Sequence, residues 1–184
     1  MNRGDSYAGY RQKLVDEVRR QGVKDMAVLH AISEVPRHRF VPAAQLHRAY
    51  DDNALPIGMG QTISQPSIQA LSIEKLALTG KEKVLEVGTG SGYQTALLAR
   101  CASIVFSVER VAPLADQARS ILKELGIGNV SVMVGDGTLG WRPYAPFDAI
   151  IVAAASPWCR SRWSSSWPRA AGCCCRWDRA STRC

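Results

Sequence analysis

The sequence predicts an α/β fold, a doubly wound, Rossmann-like sheet of mainly parallel strands under an N-terminal helical cover. Three observations lead there. At residues 84–95, VLEVGTGSGYQT, a short apolar strand runs into a glycine turn and then into a helical pattern. Downstream, strand and helix patterns alternate as a parallel sheet requires. The length of 184 residues suits one such unit.

The first elements are helical. Residues 11–20 and 25–35 carry Leu14, Val15, Val18, Val28, Leu29 and Ile32 at helical spacing, which predicts two amphipathic helices lying over the sheet. VPRHRFVP follows at 35–42, with His38 between two arginines, and reads as a charged surface loop or a substrate-side segment. GQTISQP at 60–66 is polar apart from Ile63, and Pro66 opens a helix running to Leu78. Composition alone makes this stretch an N-cap loop, with Ser64 or Gln65 satisfying amides of that helix. Residues 1–79 are thus expected to form a helical region with a loop, and 80–156 an α/β core.

Within the core, Lys83–Val87 is the first strand and Ser91–Arg100 the helix after the turn. Gly88, Gly90 and Gly92 keep backbone uncrowded where a doubly wound sheet opens its ligand crevice. The spacing is GxGxG. A dinucleotide fingerprint wants Gly or Ala one residue later, where Tyr93 stands, and a pyrophosphate would not welcome Glu86 just before the turn. Glu86 suits a cationic or amine-bearing ligand, and S-adenosylmethionine is one. The next strand, Ile104–Val108, is followed by Glu109, where a carboxylate can accept both hydroxyls of an adenosine ribose. A helix over Pro113–Leu125 leads to a third strand, Val130–Val134, and to GDG, where Asp136 can take an adenine amino group and Gly137 lets the ring lie close. Phe147–Val152 is the fourth strand. Either acid alone could merely cap a helix or face solvent. Both at consecutive strand ends favour the cofactor.

The combination of VPRHRFVP, ALPIGMGQTISQP at 54–66, VLEVGTGSGYQT, SVER at 107–110, GDG at 135–137 and APFDAIIVAAA at 145–155 resembles the protein-L-isoaspartate O-methyltransferase family, bacterial members most closely. The resemblance is nearly continuous from about residue 8 to 156. GxGxG marks methyltransferases broadly, whereas GQTISQP upstream of it is particular to this family. The resemblance implies transfer of the S-adenosyl-L-methionine methyl group to the free α-carboxylate of L-isoaspartyl residues in damaged proteins, a repair step. It also implies that Ser64 is the active-site serine, that Thr62 and Ile63 border the cofactor, and that Glu86, Gly88, Glu109, Arg110, Asp136 and Gly137 surround it.

The chemistry suits these residues. A carboxylate is ionised at neutral pH, so it needs no general base to attack a sulfonium methyl. Alignment and exclusion of water can then supply much of the rate, roughly 7–11 kcal/mol in favourable cases. The Ser64 hydroxyl would aim the carboxylate by hydrogen bonding rather than act as a nucleophile. His30 and His47 read as surface or packing residues, and no metal site is expected.

Residues 157–184 differ in kind. They contain no Leu, Ile, Val, Phe, Met or Tyr, yet hold four of the five tryptophans and five of the six cysteines. Their six arginines against Asp178 leave 17 basic and 15 acidic residues in 1–156, so most of the formal charge of +7 belongs to the tail. A nucleic-acid role for this Arg/Trp-rich stretch is therefore not favoured. Read two bases later from about Ser156, codons able to encode it permit a sequence like the family's own continuation, including an LLLPVG-like strand at Cys173–Trp177. The tail is accordingly expected to be a frameshifted, disordered segment, with the family's later strands missing or scrambled. Cys101 alone remains in 1–156, and CCC at 173–175 has no metal-ligand spacing. A cytoplasmic monomer acting on isoaspartyl-containing proteins, with no nucleic-acid or membrane partner, is the expectation. The alternatives are a methyltransferase for another carboxylate or small molecule, and a truncated product that at most binds S-adenosylmethionine.

Overall fold

The computed structural model describes residues 6–153, 173–178 and 181–183. Helix α1 (Ala8–Arg20) buries Leu14, Val15 and Val18 and places Arg19 and Arg20 at its negative end. Helix α2 (Met26–Glu34) starts at Asp25, whose carboxylate accepts the Ala27 and Val28 N–H groups, and buries Val28, Leu29, Ala31 and Ile32. Two short 3₁₀ segments, Arg37–Phe40 and Ala43–Arg48, lead to strands β1 (Leu55–Gly58) and β2 (Gln61–Ile63). Helix α3 (Pro66–Lys75) has its proline in the first turn, where the missing N–H costs nothing.

The core follows as β3 (Lys83–Val87), α4 (Tyr93–Cys101), β4 (Ile104–Glu109), α5 (Ala112–Glu124), β5 (Val130–Val134) and β6 (Ala149–Val152). Two further strands, β7 (Cys173–Asp178) and β8 (Ser181–Arg183), complete a six-stranded sheet of order β5-β4-β3-β6-β7-β8. The first four pair in parallel, and β7 and β8 are antiparallel additions. The chain progresses outward from β3 through β4 to β5, then returns to place β6 on the other side of β3. That reversal makes the carboxyl end of β3 the switch point where an open α/β sheet forms its ligand crevice.

Strand alternation sorts side chains onto two faces. Val84, Val105, Ala149 and Ile151 join the main core, to which all five helices contribute. Leu85, Phe106 and Val108 point the other way, against Trp141, Phe147 and Ile150. Phe106 meets Trp141, Tyr144 and Phe147 with ring centroids 5.3, 4.5 and 5.7 Å away. Among the described residues, then, helices cover one face, while the connection from β5 to β6 covers the other with aromatic rings.

Three points differ from expectation. GQTISQP is not all loop: Gln61–Ile63 pairs with β1, Leu55 opposite Ile63 and Pro56 opposite Thr62. A three-residue strand gives too little alternation to register in a sequence. Neither Ser64 nor Gln65 caps α3 with its side chain; the Ser67 N–H is taken instead by Asp52 Oδ1 at 2.8 Å. The third concerns the tail. Much of it lies outside the described residues, but Cys173–Asp178 pairs antiparallel with β6, and Ser181–Arg183 pairs with β7. A ladder is made by backbone N–H and C=O groups, so an exposed strand edge accepts a partner without apolar side chains. No helix among the described residues is long and apolar enough to cross a membrane.

Candidate active site

The turn after β3 is shaped by glycine. Gly88, Gly90 and Gly92 have φ values of 97, 54 and 87°, in the left-handed region that L side chains avoid. Gly92 is also crowded: a Cβ there would sit 3.0 Å from Ala118 Cβ on α5. Its conformation starts α4 and lets that helix pack against its neighbour.

Glu109, at the end of β4, reaches across to this turn. Its Oε2 accepts the Gly90 N–H at 2.8 Å and its Oε1 accepts the Val111 N–H at 2.9 Å. The residue is only 6% exposed, and each carboxylate oxygen retains a further lone pair for a ligand hydroxyl. Two expected site elements, the glycine turn and the strand-end acid, are thus directly hydrogen-bonded.

Glu86 lies beneath the turn rather than in it. It shares the helix-covered face with Val84 and is fully buried. Thr95 Oγ1 and Ser107 Oγ donate to its Oε2, while Thr89 and Ser107 hydroxyls also meet each other. Loss of hydration pushes its carboxyl up from 4.5 to about 7, the hydroxyl donors oppose the rise, and the charge of Glu109 adds to it. Its Oε1 has no hydrogen-bond partner. Glu86 is therefore part of the packing beneath the turn, tied to α4 through Thr95 and to β4 through Ser107.

The β1–β2 hairpin leans on the same turn, since Ile57 Cδ1 lies 3.8 Å from where a Cβ on Gly90 would be. On β2, Thr62 is exposed and Ile63 is 2% exposed; Ser64 follows, half-buried. The Ser64 carbonyl accepts from Arg37 Nη2 at 2.9 Å, and Gln65 Nε2 donates to Asp52 Oδ2 at 2.9 Å. The serine is therefore held at its backbone and by its neighbour.

Arg110 is exposed after β4, and Asp136, also exposed, accepts the Thr138 N–H at 2.9 Å. Gly137 meets the end of β3: a Cβ there would fall 2.3 Å from Val87 Cγ1. In the structure its missing side chain makes room for the protein's own valine.

Sequence reasoning passed over Arg37 and Asp52. Arg37 sits in a stretch expected to be surface loop or substrate-facing, yet it is 0% exposed. The apolar neighbours Val35, Phe40 and Val41 were the available signal. His38 is also packed, with Nδ1 2.7 Å from Tyr50 Oη and its ring stacked on Tyr7 at 3.9 Å. His30 is exposed near Glu34, and His47 is exposed. No group of three or more potential metal-ligating side chains occurs among the described residues.

A family model described as protein-L-isoaspartate(D-aspartate) O-methyltransferase (PCMT) matches residues 9–164. The chain is 54% identical over 154 residues to a protein-L-isoaspartate O-methyltransferase of Syntrophus aciditrophicus strain SB, a match covering 83% of this chain and 71% of the relative. Among solved structures it is similar to a protein-L-isoaspartate O-methyltransferase at 34% identity and a TM-score of 0.72. That match covers 78% of this chain and 47% of the other, so the chain spans about half the length of that protein. It is also similar to a Plasmodium falciparum protein described as a putative protein-L-isoaspartate O-methyltransferase, solved with S-adenosyl-L-homocysteine, at 25% identity and a TM-score of 0.66. There the match covers 79% of this chain and 74% of the other.

Proposed function

The chain belongs to the protein-L-isoaspartate(D-aspartate) O-methyltransferase family, and we propose that it methylates the α-carboxylate of L-isoaspartyl residues in damaged proteins, using S-adenosyl-L-methionine. The observation that carries this reading is the seating of the Ser64 hairpin on the glycine turn, with Ile57 against Gly90. It brings a hydroxyl-bearing loop and a nucleoside-type crevice into one site.

The residues fit the cofactor. A positive-φ glycine turn at the switch point accepts a ligand close to backbone, and the Glu109 carboxylate has acceptor capacity left for ribose hydroxyls. The cofactor supplies a methyl group on a positively charged sulfur. The protein's task is then to bind, aim and dry the two partners. Thr62, Ile63, Gly88, Gly90, Gly92, Glu109, Arg110, Asp136 and Gly137 are the proposed cofactor surroundings, with Glu86 supporting them from below. Ser64 would donate a hydrogen bond to the substrate carboxylate and hold one oxygen in line. Because that carboxylate is already ionised, no proton needs to be removed. The substrate's charge also explains why the site needs neither a nucleophilic residue nor a metal. A cytoplasmic setting and a monomeric state belong to the same proposal, and the single buried cysteine of residues 1–153, Cys101, is consistent with a reducing compartment.

A peptide containing L-isoaspartate and its normal aspartyl twin, incubated with labelled S-adenosylmethionine, test the reading. Selective methylation of the isoaspartyl peptide is expected. Equal methylation of both would assign the site to carboxylates in general.

A further inference from the structure

We propose that Arg37 is a positioning residue that sets the Ser64 loop against the cofactor turn. The inference rests on the methyltransferase reading of the site but concerns a residue outside its proposed ligand contacts.

Arg37 is 0% exposed, and its guanidinium touches four separate segments. Nη2 donates to the Ser64 carbonyl at 2.9 Å and to the Asn53 carbonyl at 3.3 Å, just before β1. Nη1 donates to Gln69 Oε1 on α3 at 3.2 Å. The guanidinium carbon lies 4.7 Å from the ring centre of Tyr93, which follows Gly92 and opens α4. One planar group therefore joins the peptide of Ser64 to the first residue of the helix that carries the glycine turn.

The cost of this arrangement argues for a purpose. Burial lowers the guanidinium's affinity for its proton, offset in part by Tyr93 and Asp52. Asp52 is not its ion-pair partner: that carboxylate is engaged by Gln65 Nε2 and the Ser67 N–H. A cation buried without a paired carboxylate is unfavourable, and an apolar residue would fill the volume more cheaply. What an apolar residue cannot do is donate to two carbonyls at once. Arginine's rigid fork does so, and a lysine ammonium, a point charge on a flexible stem, cannot reproduce that geometry.

Fixing the Ser64 carbonyl fixes the peptide plane that follows it, and so steadies the Cα–Cβ bond from which the hydroxyl reaches its few staggered positions. The substrate carboxylate and the methyl group must meet within about 3–3.5 Å in line. A loosened Ser64 peptide should therefore lower turnover without emptying the cofactor crevice. This distinguishes positioning from general structural support.

The test compares wild type with Arg37→Lys and Gln69→Ala, the second releasing one arm of the guanidinium while leaving the charge in place. Thermal unfolding, calorimetric S-adenosylmethionine binding, kcat and KM for an isoaspartyl peptide, and backbone amide exchange over residues 61–65 are measured on the full chain. Expected for Arg37→Lys are cooperative unfolding, cofactor affinity within about threefold of wild type, kcat lower by at least tenfold and faster exchange at 61–65. Gln69→Ala should shift kcat and exchange in the same direction by less. Unchanged kcat and exchange in a folded Arg37→Lys overturn the proposal, as does a fall in cofactor affinity matching that in kcat. If Arg37→Lys does not fold, Gln69→Ala decides by the same criteria. A wild-type chain that leaves the isoaspartyl peptide unmethylated defeats the proposed activity, and the exchange measurement then still decides whether Arg37 sets the Ser64 loop.

Discussion

Replacing Glu86 with glutamine should change how stability depends on pH. In the folded protein this carboxyl is fully buried and titrates at about 7 rather than 4.5, because burial removes the water that would stabilise its charge. The native state thus holds a proton that the unfolded chain has released, from about pH 4.5 to 7. Under the linkage relation, unfolding free energy then falls as pH rises, by up to about 1.4 kcal/mol per unit across that window, and levels off above it. The whole displacement amounts to about 3 kcal/mol. Glutamine has the same shape and no charge, and its amide oxygen can accept from Thr95 and Ser107 where Glu86 Oε2 does. Glu86→Gln should match wild type near pH 4.5 and exceed it by about 3 kcal/mol at pH 8. Urea unfolding followed by far-ultraviolet circular dichroism at half-unit steps from pH 4.5 to 8.5 measures the difference directly. Parallel profiles for the two proteins across pH 4.5–7 would refute the burial argument.

Three further outcomes are expected. Ser64→Ala should lose most turnover while keeping S-adenosylmethionine binding in calorimetry; undiminished turnover would remove the hydroxyl from the mechanism. Gly137→Ala drives a methyl group against Val87 and should cost about 1–3 kcal/mol in urea unfolding, with Val87→Ala in the same chain restoring part of it. Asp52→Ala removes the acceptor for the Ser67 N–H and the Gln65 amide, so it should destabilise the protein by about 1 kcal/mol and raise amide exchange at the start of α3.

The parallel core was legible because its signals are local. Lys83–Val87 and Val130–Val134 are apolar runs with the bounds that were expected, and the glycines of the turn announce the switch point. The helices of the cover were equally plain, since Leu14, Val15 and Val18 repeat at helical spacing. What escaped depends on partners distant in sequence. Nothing around Asp52 indicates that it will cap a helix starting at Pro66, and the apolar neighbours Val35, Phe40 and Val41 mark the PRHRF stretch as packed without singling out Arg37 over Arg39. Glu86 was recoverable in principle: alternation along β3 puts it on the face of Val84, under the helices, but its place before a glycine turn suggested a ligand instead. The strand at Cys173–Asp178 is not marked by apolar side chains, because it joins the sheet through backbone pairing with β6 on one side and β8 on the other.

The contacts of Arg37 also bear on how the protein is made. Asn53, Ser64 and Gln69 leave the ribosome after Arg37 but before Tyr93, and the β3 strand that anchors Tyr93 is synthesised between them. During elongation the arginine can gather the hairpin and α3 early, yet the aromatic face that completes its surroundings arrives only with the start of α4. At roughly 5–20 residues per second, the nascent chain spends seconds with that cation incompletely enclosed. The Ser64 peptide can therefore be held before the glycine turn exists, and the Tyr93 ring completes the surroundings of the arginine only afterwards.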